Sequence, residues 1–184
     1  MKVVFLDRDG VLNRDRADYV KNLQEFEMLP GAAEAVARLN RMGYRVVVVS
    51  NQAGVGKGLI PEEVLSQITE ALHNAVQQAG GEIGAVYYCT HRPEDDCDCR
   101  KPRPRLILKA CRALGIQPSE CVFIGDAERD VKAAHAAGCG SVLVLTGFAT
   151  EEDVEHFEAK PDYVADDLHD AVNWILVRDG KTFA

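Results

Sequence analysis

The run RVVVVSNQ, residues 45–52, holds four consecutive valines without polar alternation. β-Branched residues at that density favour an extended chain, and a strand that is apolar at successive positions needs cover on both faces. Similar short apolar runs stand at Val3–Leu6, Ala85–Tyr88, Cys121–Ile124, Ser141–Leu145 and Tyr163–Ala165. The stretches between them read as helices, predicted at Ala32–Met42, Pro61–Ala79, Arg103–Leu114, Asp126–Ala137 and, after the last strand, around Trp174. Gly43 and Gly138 fall where helix C-caps are expected. Helices alternating with strands buried on both faces predict an α/β fold built on a doubly wound parallel sheet. Ligands of such sheets bind at the carboxyl ends of the strands. Glu151–Lys160 is polar and acidic and reads as a solvated helix or loop, and no repeat or linker interrupts the pattern.

A chain of 184 residues is enough for one well-buried domain, taken here as 1–184, and too short for two substantial ones. With 47% hydrophobic and 27% charged residues, the composition excludes a disordered chain, a collagen-like repeat and a disulfide miniprotein. Lys and Arg total 21 against 29 Asp and Glu, a formal charge of -8. That charge repels polyphosphate backbones and acidic membrane surfaces, so small-molecule chemistry is expected, with no nucleic-acid or membrane partner. Asp7 precedes any apolar region long enough for a signal peptide, and no later run approaches a membrane span, which predicts a cytoplasmic protein. In a reducing compartment the six cysteines are expected to be buried thiols, metal ligands or nucleophiles rather than disulfides.

The first strand runs directly into Asp7-Arg8-Asp9-Gly10. Two carboxylates that close together oppose each other's ionisation unless a cation or a proton is shared, so a divalent metal suits the position. The second strand ends in Ser50-Asn51-Gln52, followed by the glycine-rich AGVGKG at 53–58, a loop suited to bringing backbone amides against an anion. It is not a P-loop, which needs glycine at the place of Asn51 and a hydroxyl at that of Gly58. The fourth strand ends in Gly125-Asp126 with Asp130 one helical turn on, and Asp126 also suits a helix N-cap. Lys101 lies in the proline-stiffened segment CRKPRP, residues 99–104.

In this order, the D-x-D-G, strand-end Ser, Lys and G-D-x-x-x-D elements resemble the four motifs of the haloacid dehalogenase superfamily, from Val3 to about Leu145. The resemblance implies a phosphoryl-transfer enzyme in which Asp7 attacks phosphorus and becomes an aspartyl phosphate, while Asp9 protonates the leaving alkoxide and later activates water. It implies Mg²⁺ held by Asp7, the backbone carbonyl of Asp9 and Asp126, with Asp130 orienting the outer shell. Ser50 and Lys101 would neutralise charge on the transferred phosphoryl oxygens. No folded insertion follows Asp9 or Ser50, so the site is expected to be open, without a large cap domain. Substrate selection then falls to small loops carrying Asp15, Arg16 and Tyr19, to Asn51 and Gln52, and to Arg100 as the grip for a second anionic group.

Cys89, His91, Cys97 and Cys99 offer one imidazole and three thiolates on two short arms, a complete tetrahedral set for a structural zinc that staples the segment delivering Arg100 and Lys101. Cys111, Cys121 and Cys139 stand in apolar surroundings and read as core. Within the superfamily, LDRDGVLN, YVKNLQEFEMLPGA, SNQAGVGKG, CTHRPEDDCDCRKP and GDAERD resemble the heptose 1,7-bisphosphate 7-phosphatase branch more than the neighbouring histidinol-phosphate phosphatases. The implied substrate is a phosphorylated sugar, handled by a monomer. A polynucleotide 3′-phosphatase would share the catalytic set but lacks support from charge, and a catalytically silent metal-binding module would not need the set intact. Two positions depart from the family pattern: Ala127 stands where a basic residue often follows G-D, and Lys57 where arginine is frequent.

Overall fold

The structure, a computed structural model, describes residues 2–181; Met1 and residues 182–184, the extremes of the 1–184 domain read from the sequence, lie outside the described residues. Six strands, β1 (Lys2–Leu6), β2 (Tyr44–Asn51), β3 (Ala85–Cys89), β4 (Cys121–Gly125), β5 (Gly140–Val144) and β6 (Tyr163–Ala165), form one sheet in the order β3-β2-β1-β4-β5-β6. Every pairing is parallel, with Leu6 level with Val48 on one side and with Ile124 on the other. The α/β doubly wound fold expected from the valine runs is the one observed.

Seven α-helices connect and cover the strands: α1 (Ala32–Arg41), α2 (Ala53–Gly56), α3 (Glu62–Gln78), α4 (Arg105–Leu114), α5 (Glu128–Ala137), α6 (Glu151–His156) and α7 (Leu168–Arg178). Alternate strand residues feed two cores, which is why the strand sequences lack polar alternation. Val4, Leu6, Val46, Val48 and Ile124 pack with Leu39 of α1, Leu72 of α3 and Ile175 of α7. Val3, Phe5, Val47, Val49 and Phe123 pack on the opposite face with Ile107 of α4 and Ala134 of α5. Cys111, Cys121 and Cys139 belong to this second core, as expected.

The departures from the predicted elements have local causes. The helix expected from Arg103 begins at Arg105, because Pro104 restricts the residue before it to extended backbone. The helix expected from Asp126 begins at Glu128, with Ala127 rather than Asp126 as N-cap, and the Asp130 carboxylate accepts the Ala127 amide at 3.1 Å. The polar 151–160 stretch forms a short helix that ends at His156, and Thr150 caps it by accepting the Asp153 amide. Between β1 and α1, residues 11–31 contain neither helix nor strand beyond the bridges Asp9–Asn13 and Asn13–Met28, so no folded insertion follows Asp9. The chain leaves β1 towards β2 and returns on its other side at β4. A crevice therefore opens beyond the carboxyl ends of β1 and β4.

Candidate active site

Asp7 is the first residue past β1, and its amide still donates to the carbonyl of Ile124 on β4, at 2.9 Å. The residue is 3% exposed. Its Oδ1 accepts the Arg8 amide at 2.7 Å, and its Oδ2 lies 2.8 Å from the Lys101 ammonium. Burial works against the charged form of Asp7, but Lys101, Arg129 and the Ser50 hydroxyl outweigh it and hold the carboxyl below its usual range. Lys101 is buried as well; it sits 2.7 Å from Asp130 Oδ1, donates to the Val49 carbonyl at 3.0 Å and lies over the Phe123 ring. Burial favours its neutral form, yet Asp130 and Asp7 together raise its pKa.

Asn51 sets the height of that lysine. Its amide nitrogen donates to the Lys101 carbonyl and its oxygen accepts the Lys101 amide, both at 3.1 Å, across a join that includes the cis Lys101–Pro102 bond. Gln52 is buried and committed inward, donating to Asp9 Oδ2 at 2.7 Å and to the Ser50 hydroxyl at 3.1 Å. Asp9 also accepts from the Arg8 guanidinium at 2.8 Å and from Asn13 at 2.9 Å. Arg8 and Asn13 were not singled out from sequence. In β-strand alternation, Arg8 between two aspartates would be read as solvent-facing; instead it is 1% exposed beneath the Tyr88 ring.

Asp126 arrives from β4 and is 2% exposed. Its Oδ1 has no hydrogen-bond partner, and Arg129 approaches it only to 3.8 Å. Burial, then the charges of Asp130 and Asp7, push it up to about 8. Carboxylate oxygens of Asp7, Asp126 and Asp130 lie within 4.8 Å of one another. The backbone is shaped to this cluster, since a Cβ on Gly10, at φ 78°, or on Gly147 would strike the Asp126 carboxylate. A buried carboxylate oxygen without a donor, beside two other carboxylates, fits a hard divalent cation. Asp130 is spent mainly on Lys101 and on the amides of Asp126 and Ala127.

A cavity of about 400 Å³ opens over Asp7, Asp9 and Ser50, lined also by Asp15, Arg16, Tyr19, Asn51, Arg100, Arg129 and Phe148. Asp15 is pushed up to about 6 by burial and by the charge of Asp9. Nothing in the sequence marks Phe148, whereas Arg129 stands in the first turn of the helix that follows Asp126 and so faces the strand ends. Ala127 supplies no charge; Arg129, two residues later, does. The glycine-rich loop corrects part of an expectation. Its 55–58 amides are satisfied within the chain, by Gln52, Thr90, Ala53 and Val55 carbonyls, so they form no anion nest. Lys57 lies over the Tyr19 ring.

The four residues of the expected zinc set converge. Sulfur separations are 3.5 Å for Cys89–Cys97, 3.1 Å for Cys89–Cys99 and 3.6 Å for Cys97–Cys99, and His91 Nδ1 is 3.3 Å from Cys99. Tetrahedral zinc with Zn–S bonds of about 2.3 Å puts its sulfurs about 3.8 Å apart, so this donor set fits the ion. Burial and the neighbouring thiols push Cys89 up to about 12, a penalty on the thiolate that a divalent cation would reverse. Gln52 donates to the Cys89 carbonyl and Gly56 to that of Thr90, which ties the cysteine loop to the Ser50 segment.

Replacing Lys101 with Met leaves Asp7 and Asp130 buried without their cation, and is expected to cost about 3–5 kcal/mol at pH 7. In the parent the lowered Asp7 pKa contributes stability above the unfolded value, which is lost as pH falls through the folded one. In the variant burial, no longer opposed by Lys101, raises Asp7 and raises Asp130 further, so the deficit is largest at neutral pH and narrows as pH falls towards about 4. Urea denaturation in EDTA across that range measures it.

Comparison with known proteins gives consistent relatives. A HAD-hydrolase-like family model matches residues 98–171. The chain is 39% identical over 178 residues to the D-glycero-beta-D-manno-heptose-1,7-bisphosphate 7-phosphatase of Neisseria meningitidis serogroup A, covering 96% of this chain and 95% of that one. To the Pseudomonas aeruginosa protein of the same name it is 42% identical over 145 residues, 79% of this chain and 82% of the other. The crystal structure of D,D-heptose 1,7-bisphosphate phosphatase from B. bronchiseptica, complexed with magnesium and phosphate, matches with a TM-score of 0.90 at 36% identity, covering 97% of this chain and 99% of that one. With that identity sustained along nearly the whole length, on the same sheet, the chain belongs to the haloacid-dehalogenase-like hydrolases, in the family of the D-glycero-beta-D-manno-heptose-1,7-bisphosphate 7-phosphatases.

Proposed function

We propose that this protein is a Mg²⁺-dependent phosphatase that removes the C7 phosphate of D-glycero-D-manno-heptose 1,7-bisphosphate and leaves heptose 1-phosphate. The observation that carries the chemistry is Asp7: a buried carboxylate, kept ionised by Lys101, at the floor of a polar cavity with Asp9 beside it. The names of the relatives carry the substrate, and favour the heptose reading over histidinol phosphate.

In this reading one Asp7 oxygen bonds to phosphorus as the sugar alkoxide leaves, and the alkoxide takes a proton from Asp9. Asp9 then accepts a proton from water, which attacks the aspartyl phosphate and restores Asp7 with release of inorganic phosphate. Arg8, Asn13 and Gln52 fix the Asp9 carboxylate for both transfers. Ser50 and Lys101 meet the charge on the phosphoryl oxygens, and the Asn51 pair fixes the height of Lys101. Mg²⁺, held by Asp7, the Asp9 carbonyl and Asp126, would supply the remaining neutralisation of that charge. Arg100, with Asp15, Arg16 and Tyr19 on the cavity wall, holds the rest of the substrate. Asp130 acts chiefly through Lys101 and the Asp126 backbone.

The regiochemistry follows from reach. The C7 phosphate sits on an exocyclic arm and can approach Asp7 in line, whereas the anomeric phosphate is fixed to the ring. Phosphorus NMR of the product is expected to retain the anomeric signal; its loss, or faster turnover of histidinol phosphate, would refute the assignment. Asp7→Asn is expected to fold and to lose more than 90% of turnover, and EDTA to stop the parent. Zinc is expected at one atom per chain on Cys89, His91, Cys97 and Cys99 in protein purified without added metal. Elemental analysis checks it, and Cys99→Ser should lower thermal stability more than the chemical step.

A further inference from the structure

Three arginines line the cavity above Asp7: Arg16, Arg100 and Arg129. Their circumstances differ. The Arg16 guanidinium is held by its own loop, 3.4 Å from Asp18 and 3.7 Å from Glu25. Arg129 has its nearest carboxylate at 3.8 Å, Asp126 Oδ1, beyond hydrogen-bond distance, and its side chain is 46% exposed. Among the described residues its guanidinium makes no hydrogen bond, so five donors in a planar fork remain available to a ligand. Arg100 likewise has an Nη1 that is buried and unpartnered.

Topology puts these two arginines on different connections. Arg100 comes from the loop between β3 and α4, Arg129 from α5 behind β4, and Asp7 follows β1, which lies between β2 and β4. The phosphoryl group being transferred already has Lys101 and Ser50 at the cavity floor. An arginine on the wall, with its donors unspent, suits a second phosphate, which a guanidinium fork engages with paired, charge-assisted hydrogen bonds.

We propose that Arg129 is a substrate-binding residue that, together with Arg100, grips the second phosphate of a doubly phosphorylated sugar and sets the preference for bisphosphates over monophosphates. This rests on the phosphatase reading above and assigns it a specificity residue. The competing account is that Arg129 merely balances the acidic cluster of Asp7, Asp15, Asp126 and Asp130, whose charges it feels. That role would alter Mg²⁺ affinity and treat all phosphate esters alike.

The test compares the parent, Arg129→Ala and Arg129→Lys at saturating Mg²⁺ on heptose 1,7-bisphosphate and on p-nitrophenyl phosphate, which carries one phosphate. The expected result for Arg129→Ala is a loss of kcat/KM on the bisphosphate about tenfold greater than on the single ester, a difference of about 1.4 kcal/mol, with the excess appearing in KM; what the variant loses through the Arg129 charge beside Asp7 falls on both substrates alike. Arg129→Lys should recover part of the loss. Equal losses on both substrates, an unchanged bisphosphate KM, or a change confined to Mg²⁺ half-saturation would overturn the inference. Calorimetry with fructose 1,6-bisphosphate on Asp7→Asn protein, with and without Arg129→Ala, reads the grip separately from turnover. If the parent hydrolyses only the p-nitrophenyl ester, the heptose substrate has failed; a tenfold loss of binding in calorimetry still supports the role of Arg129, and no loss removes it.

Discussion

The Lys101 ammonium lies 2.8 Å from Asp7 and 2.7 Å from Asp130, and all three side chains are shut away from water. Removing such charges from solvent costs several kcal/mol each, and the arrangement persists only because the ions compensate one another at short range. Much of the site hangs from this constraint. The lysine must come from a segment far along the chain, so the 99–104 loop has to be held at one height, which the Asn51 amide does by bonding both backbone groups of Lys101. Asp130 must point back from α5, and its second oxygen then caps that helix by accepting the Asp126 and Ala127 amides.

The same triad divides the labour among the carboxylates. Asp7 is the one whose charge is favoured, because Lys101, Arg129 and the Ser50 hydroxyl together outweigh its burial; Asp126 has no cation in contact and is pushed up to about 8 by burial beside Asp130 and Asp7. Two acids a few ångströms apart are thereby given opposite tendencies, one set up to stay anionic and one in need of an incoming positive charge. Asp9 follows a third rule, held by hydrogen bonds from Arg8, Asn13 and Gln52. The Cys89–Cys99 loop enters as scaffold, joined to the Ser50 segment through the Gln52–Cys89 and Gly56–Thr90 backbone bonds.

The parallel sheet, its six strands and the gathering of Asp7, Ser50 and Asp126 at one edge were legible in the sequence. Strands without polar alternation must be covered on both faces, and parallel strands bring all their carboxyl ends to one side, so a residue just past each strand is placed by periodicity alone. The convergence of the cysteine and histidine set was legible for a similar reason, since three cysteines and a histidine within eleven residues have few other uses. What tertiary structure alone decided were contacts between residues distant in sequence. Lys101 bridges Asp7 to Asp130 across 94 and 29 positions, Gln52 turns inward to Asp9, Arg8 is buried under Tyr88, and Arg129 stands on the cavity wall. A side chain's partner depends on the summed geometry of several elements and on where water is excluded. Periodicity along one segment carries neither.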